Sequence, residues 1–230
     1  MPTTDPGEYR ERPEPATVKP GRYLSQRVTQ WVENPTGGRD RGPVALARAW
    51  AEVLVRPRRF FRAGIAPGDQ APGLIFAAVV VLLEELTRLA LIPDVYPVVA
   101  GQPVASRALF LALAVVLVMP AVLHLTAALQ TLILMATAPD RGGVSETVQV
   151  LAYATAPCVF AGPEIPALRV VCTAAGAALL VVGTVEVHDL PYWKAVPVVA
   201  VPAAIVFGYG FRGFGAAGAL LAEIGVSLPF

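Results

Sequence analysis

Three charged residues, Glu84, Glu85 and Arg88, stand inside a run of apolar residues that begins at Ala71. On a helix, Glu84 and Arg88 are four apart, share a face and can neutralise each other. The same set can also pass protons or a charged substrate through an apolar barrier, since ionisable groups inside membranes commonly mark such pathways. The self-paired arrangement is the expectation, with transport as the alternative. His124 and Gln149, in later apolar runs, belong to that alternative. A neutral, hydrogen-bonded packing role is expected for His124. Only His188 is available to join it, and no Cys/His spacing forms a metal site. Cys158 and Cys172 also lie in apolar runs and read as small hydrophobes.

Catalytic sets are absent from the sequence. It has no GxSxG, no HExxH, no Walker loop and no ordered Ser/His/Asp arrangement. "GYGFRGFG", residues 208–215, fits a glycine-rich phosphate pattern only superficially, because it follows an apolar run rather than a strand. It reads as a flexible exit into a tail. A non-enzymatic protein without cofactor or metal is expected.

Composition defines the elements that hold these residues. Hydrophobic residues make up 55% of 230 positions, charged residues 15%, and mean hydropathy is +0.60. Soluble domains carry roughly 25% charged residues, so the chain reads as an integral membrane protein. Of 18 lysines and arginines, 12 precede Ala71. A basic head precedes an apolar body.

A hydrocarbon core of about 30 Å needs about 20 apolar residues in a helix. Residues 71–92, 108–136, 148–161, 167–187 and 195–211 supply five candidate spans, the third and fifth being the weakest. Pro120 falls inside the second, which is expected to tilt or kink there; Pro197 and Pro202 interrupt the fifth. Arginines ahead of the first span favour a cytoplasmic N-terminus. Five spans then put the C-terminus outside a multi-pass protein of the cell membrane. No short apolar core marks a cleavable signal.

The head divides in two. Residues 1–43 are rich in proline and charge and read as a loosely held cytoplasmic tail. Residues 44–66 have Leu46, Trp50, Val53 and Leu54 at helical spacing, then Pro57, then Arg58, Arg59, Phe60, Phe61 and Arg62. With Arg56, this cluster suits an interfacial amphipathic helix, its aromatics in the headgroup layer and its arginines on anionic lipid. Nucleic-acid binding, the competing reading of such a cluster, is set aside because a span begins eight residues later. Residues 67–213 form the membrane domain and 214–230 an outer tail.

"RGGVSETVQVLAYATAP" reads as an inner loop opening into a membrane helix. Gly142 and Gly143 make the turn, Ser145 is the expected N-cap and Glu146 suits the positive end of the helix dipole. Ala152, Ala154 and Ala156 permit close helix approach, and the "GPEIP" of residues 162–166 turns the chain back.

This arrangement resembles the Yip (Ypt-interacting protein) domain family of five-span membrane proteins, in a prokaryotic, archaeal form. The resemblance covers about residues 45–213. It rests on Gly142-Gly143, Tyr153 with Pro157, Ile165-Pro166, Gly183 with His188, and Lys194-Ala195, with "RPRRFFRAG" ahead of the first span. It implies a helix bundle packed through Gly142, Gly143, Tyr153, Pro157, Pro166, Gly183, His188 and Lys194. It also implies a cytosolic N-terminus and, in eukaryotic members, roles in vesicle traffic and membrane shaping with Rab-type small GTPases as partners. The expected fold is therefore all-α: a polytopic bundle of five transmembrane helices with an interfacial helix before the first. Expected partners are the bilayer, anionic inner-leaflet lipid, and a second copy or other membrane proteins, but not nucleic acid.

Overall fold

A computed structural model describes residues 42–138 and 141–226. The tail expected over residues 1–43 lies almost entirely outside the described residues. Every element among the described residues is helical, and no strand occurs. Two short helices lead: α1 (Pro43–Val55) and α2 (Pro57–Gly64). Each has proline in its first turn, where the missing N–H costs nothing, and Pro57 is the reason one helix becomes two.

The body follows. α3 spans Ala71–Leu91, α4 Pro103–Ala112 and α5 Met119–Thr137. Residues Leu113–Val118 join α4 to α5 as a π-helical stretch. Pro120 has no N–H and its ring crowds the carbonyl four residues back, so the chain widens ahead of it and Met119 N–H reaches Ala114. The expected kink is a π-helical stretch. α6 spans Val144–Ala154 and passes into a 3-10 turn, Ala156–Phe160, around Pro157. Gly143 is its N-cap and no side chain caps it, so Ser145 lies in the first turn instead of at the expected cap.

α7 spans Pro166–His188. α8, Tyr192–Ala203, widens into a second π-helical stretch, Ala204–Gly210, just after Pro202. Residues 214–230 were expected as a tail, but α9 covers Gly213–Glu223 and packs on α7. Arg212 makes the reversal before α9 with φ +60°.

Three stretches are long and apolar enough to cross a membrane: Pro103–Thr137, Pro166–His188 and Tyr192–Gly210. α3 has 21 residues but carries three charges, and α6 is short. Five segments traverse the bundle in alternating direction. α3 and α6 run parallel, since Phe76 meets Tyr153 and Gly162 meets Glu84 and Thr87. α5 runs against α6, with Thr131 at Thr147. α7 also runs against α6, because Gly183 meets Val150 while Arg169 reaches Ala161. α8 runs against α7, with Phe207 at Gly176. The bundle therefore has a near end, carrying α1, α2 and the 141–147 turn, and a far end, carrying residues 84–96, 161–169 and 212.

Candidate functional site

At the near end, α2 splits its side chains by chemistry. Phe60 and Phe61 are fully buried, whereas Arg56, Arg58, Arg59 and Arg62 are exposed. Phe60 stands edge-on to Tyr153, with ring centroids 4.8 Å apart, and Tyr153 leans on Phe76 at 5.1 Å. Phe61 lies against Gly183, where a Cβ would be 3.0 Å from its ring and 2.6 Å from Val150. The aromatics expected in the headgroup layer are thus inside the protein. Burying two Phe side chains is worth about 1.5–3 kcal/mol each, and facing glycine and alanine helices give them a socket deep enough to fill.

Polar contacts tie the same socket. Arg62 donates to Glu186 of α7 at 2.5 Å. The Gln149 amide donates to the Ala66 carbonyl at 2.7 Å and accepts from its N–H at 3.2 Å, fixing the link between α2 and α3. Trp50 of α1 donates its indole N–H to the Ala156 carbonyl at 2.9 Å. His188 is buried, with Nε2 3.4 Å from the Thr147 hydroxyl and the Gly142 turn against its ring. One turn inward, Gln130 donates to Thr184 at 2.9 Å.

The far end holds the acidic pair. Glu84 does not pair with Arg88, as helical spacing suggested; it pairs with Arg212, 128 residues away. Glu85 takes Arg88 at 3.2 Å, Arg212 at 3.2 Å and the Tyr96 hydroxyl at 2.6 Å. Burial and the Glu85 carboxylate push the Tyr96 phenol above its ordinary range. Arg169 closes the neighbouring turn, donating to the carbonyls of Ala161 at 3.1 Å and Pro163 at 3.1 Å. That turn touches α3 so closely that a Cβ at Gly162 would lie 2.6 Å from the Glu84 carbonyl oxygen. Below the cluster lies an apolar cavity of about 120 Å³, walled by Val81, Val118, Leu123, Val206 and Phe211.

A family model for the Yip1 domain matches residues 51–211. The chain belongs to the Yip1 domain family. No curated protein and no solved structure matches it, and the archaeal placement is not borne out.

Within the Yip1 domain, the motif residues do not gather at one site. Gly183 and Tyr153 form the socket for α2. Gly142 and His188 close the near end beside them, and Gly143 starts α6. Pro157 is buried in the 3-10 turn and Pro166 opens α7, both toward the far end. Lys194 is on the first turn of α8, its ammonium 5.3 Å from the centre of the Trp193 ring. His124 is exposed, not packed inside, with Nδ1 hydrogen-bonded at 2.7 Å to the Pro120 carbonyl of its own helix. Cys158 and Cys172 are buried free thiols, as expected of small hydrophobes. Among the described residues no group of histidine, cysteine and acidic side chains is placed to hold a metal.

Sequence reasoning missed Arg212 as the partner of both glutamates. The one available signal was an arginine set in a glycine-rich stretch directly after an apolar run. Glu186, near the end of α7, holds Arg62, a pairing for which the sequence offers no signal.

Proposed function

We propose that this Yip1-family chain is a non-enzymatic, five-span protein of the cell membrane that gathers lipid and protein partners at its cytoplasmic face. The near end faces the cytoplasm and the C-terminus lies outside. The alternating direction of five segments supports the span count. In this reading α3 crosses despite its charges, because Glu84 and Glu85 are neutralised within the bundle.

The observation that carries the proposal is the division of α2. Its aromatics anchor it to the bundle while Arg56, Arg58, Arg59 and Arg62 point outward beside the start of α3. Each basic group near an anionic leaflet contributes about 1 kcal/mol, decaying over about 8 Å at physiological salt. α2 therefore meets lipid through charge alone, with no inserted aromatic side chain. Such a surface suits attraction of anionic headgroups and leaves the preceding segment to meet protein partners.

The test uses the full chain in nanodiscs of phosphatidylglycerol or phosphatidylcholine, with trypsin cleavage at Arg58 and Arg59 as the readout. Anionic lipid should slow cleavage, and added salt should remove the protection. Equal cleavage rates in both lipids, with and without salt, would overturn the electrostatic reading.

A further inference from the structure

Also at the near end, α5 and α8 leave a groove of about 430 Å³ between them. Ile133 and Ala136 of α5 and Pro197 and Val198 of α8 form apolar walls, and Trp193 and Lys194 stand at the rim. Trp193 is 72% exposed, and the adjoining Tyr192 lies under Arg58, whose guanidinium is 5.6 Å from the ring centroid. Lys194 makes no ion pair among the described residues; its ammonium has the Trp193 ring face as its contact.

This combination matches one kind of molecule. Aromatic side chains with one apolar edge and one polar edge settle where hydrocarbon meets headgroups. A basic pocket between membrane helices at that level binds the phosphate of an anionic lipid. An acyl chain fits the apolar walls below, and the half-buried Lys194 above carries a charge that no described residue pairs with. We infer that this groove holds one anionic phospholipid per chain, its phosphate on Lys194, its acyl chain along Ile133, Ala136, Pro197 and Val198, and Trp193 alongside the glycerol. The inference rests on the near end lying at a membrane surface, but it concerns one seated molecule, unlike the diffuse attraction at α2.

Native mass spectrometry of the full chain in mild detergent, titrated with phosphatidylglycerol or phosphatidylcholine, tests it. One phosphatidylglycerol should be retained in preference to phosphatidylcholine. Lys194→Gln should weaken that binding about tenfold, equivalent to about 1.4 kcal/mol, while Lys194→Arg keeps it. Ala136→Trp should fill the groove and reduce retention of both lipids. Replacing Arg56, Arg58, Arg59 and Arg62 with glutamine should leave the single lipid in place, even if it abolishes the protection seen in nanodiscs. Parental binding by both Lys194→Gln and Ala136→Trp would overturn the assignment. So would equal retention of the two lipids, or full competition by soluble glycerophosphate.

Discussion

The ring of Phe61 occupies the space that a side chain at position 183 would need. A Cβ there would be 3.0 Å from that ring and 2.6 Å from Val150, so three elements meet at one missing atom. Glycine at 183 is what lets α2 lie directly on α7 and α6, and it sets how firmly the basic face is held.

Gly183→Val should therefore displace α2. Overpacking a filled core costs about 1–3 kcal/mol, read as a lower melting temperature in detergent. Faster tryptic cleavage at Arg58 and Arg59 should accompany it. Phe61→Ala in the Gly183→Val background should recover part of the loss by making room, and no recovery would locate the damage elsewhere.

Tyr153 lies between Phe60 and Phe76 with no exposed surface. Tyr153→Ala should cost about 3–5 kcal/mol, as aromatic truncations in tight cores do. Tyr153→Phe keeps both ring contacts and should cost less than about 1 kcal/mol. Equal losses in the two variants would mean that ring packing is not what position 153 provides.

The pairing of Glu84 with Arg212 calls for a double-mutant cycle. Leaving one buried charge unpaired costs about 3–5 kcal/mol, whereas replacing both partners is often close to neutral. Arg212→Gln and Glu84→Gln should each lower thermal stability, and the combination should be milder than the sum. Arg88→Gln should do less, because Glu85 keeps Arg212 and Tyr96. Strict additivity of the two glutamine substitutions would remove the coupling.

Topology is tested by fusions. An alkaline phosphatase fused after Phe230 should be active and a cytoplasmic reporter at the same place silent, as five crossings from a cytoplasmic near end require. The reverse result would imply an even number of crossings.

The apolar runs and the basic head are legible in the residues alone, and with them the helices and the end at which the basic head lies. Length and hydropathy suffice for this, because a segment buried in hydrocarbon has to satisfy its backbone within itself. α3 and α7, and α8 taken with the π-helical stretch that continues it, accordingly begin and end within a few residues of the expected bounds. Local proline chemistry was also legible: Pro57 splits the leading helix and Pro157 turns α6 into 3-10 geometry.

Tertiary structure decided which way side chains point and which distant charges meet. An apolar-aromatic face reads the same whether it is turned to lipid or to a glycine-lined socket, so nothing in "RPRRFFRAG" distinguished insertion from docking; Gly183, far along the chain, did. Glu84 had a partner within one helical turn and took Arg212 instead, because the Arg212 reversal brings a second guanidinium over both carboxylates. His124 faces outward and Gln149 inward for the same reason. Helical periodicity gives the relative angle between residues on one helix, and only contact with the neighbouring helices fixes the absolute rotation.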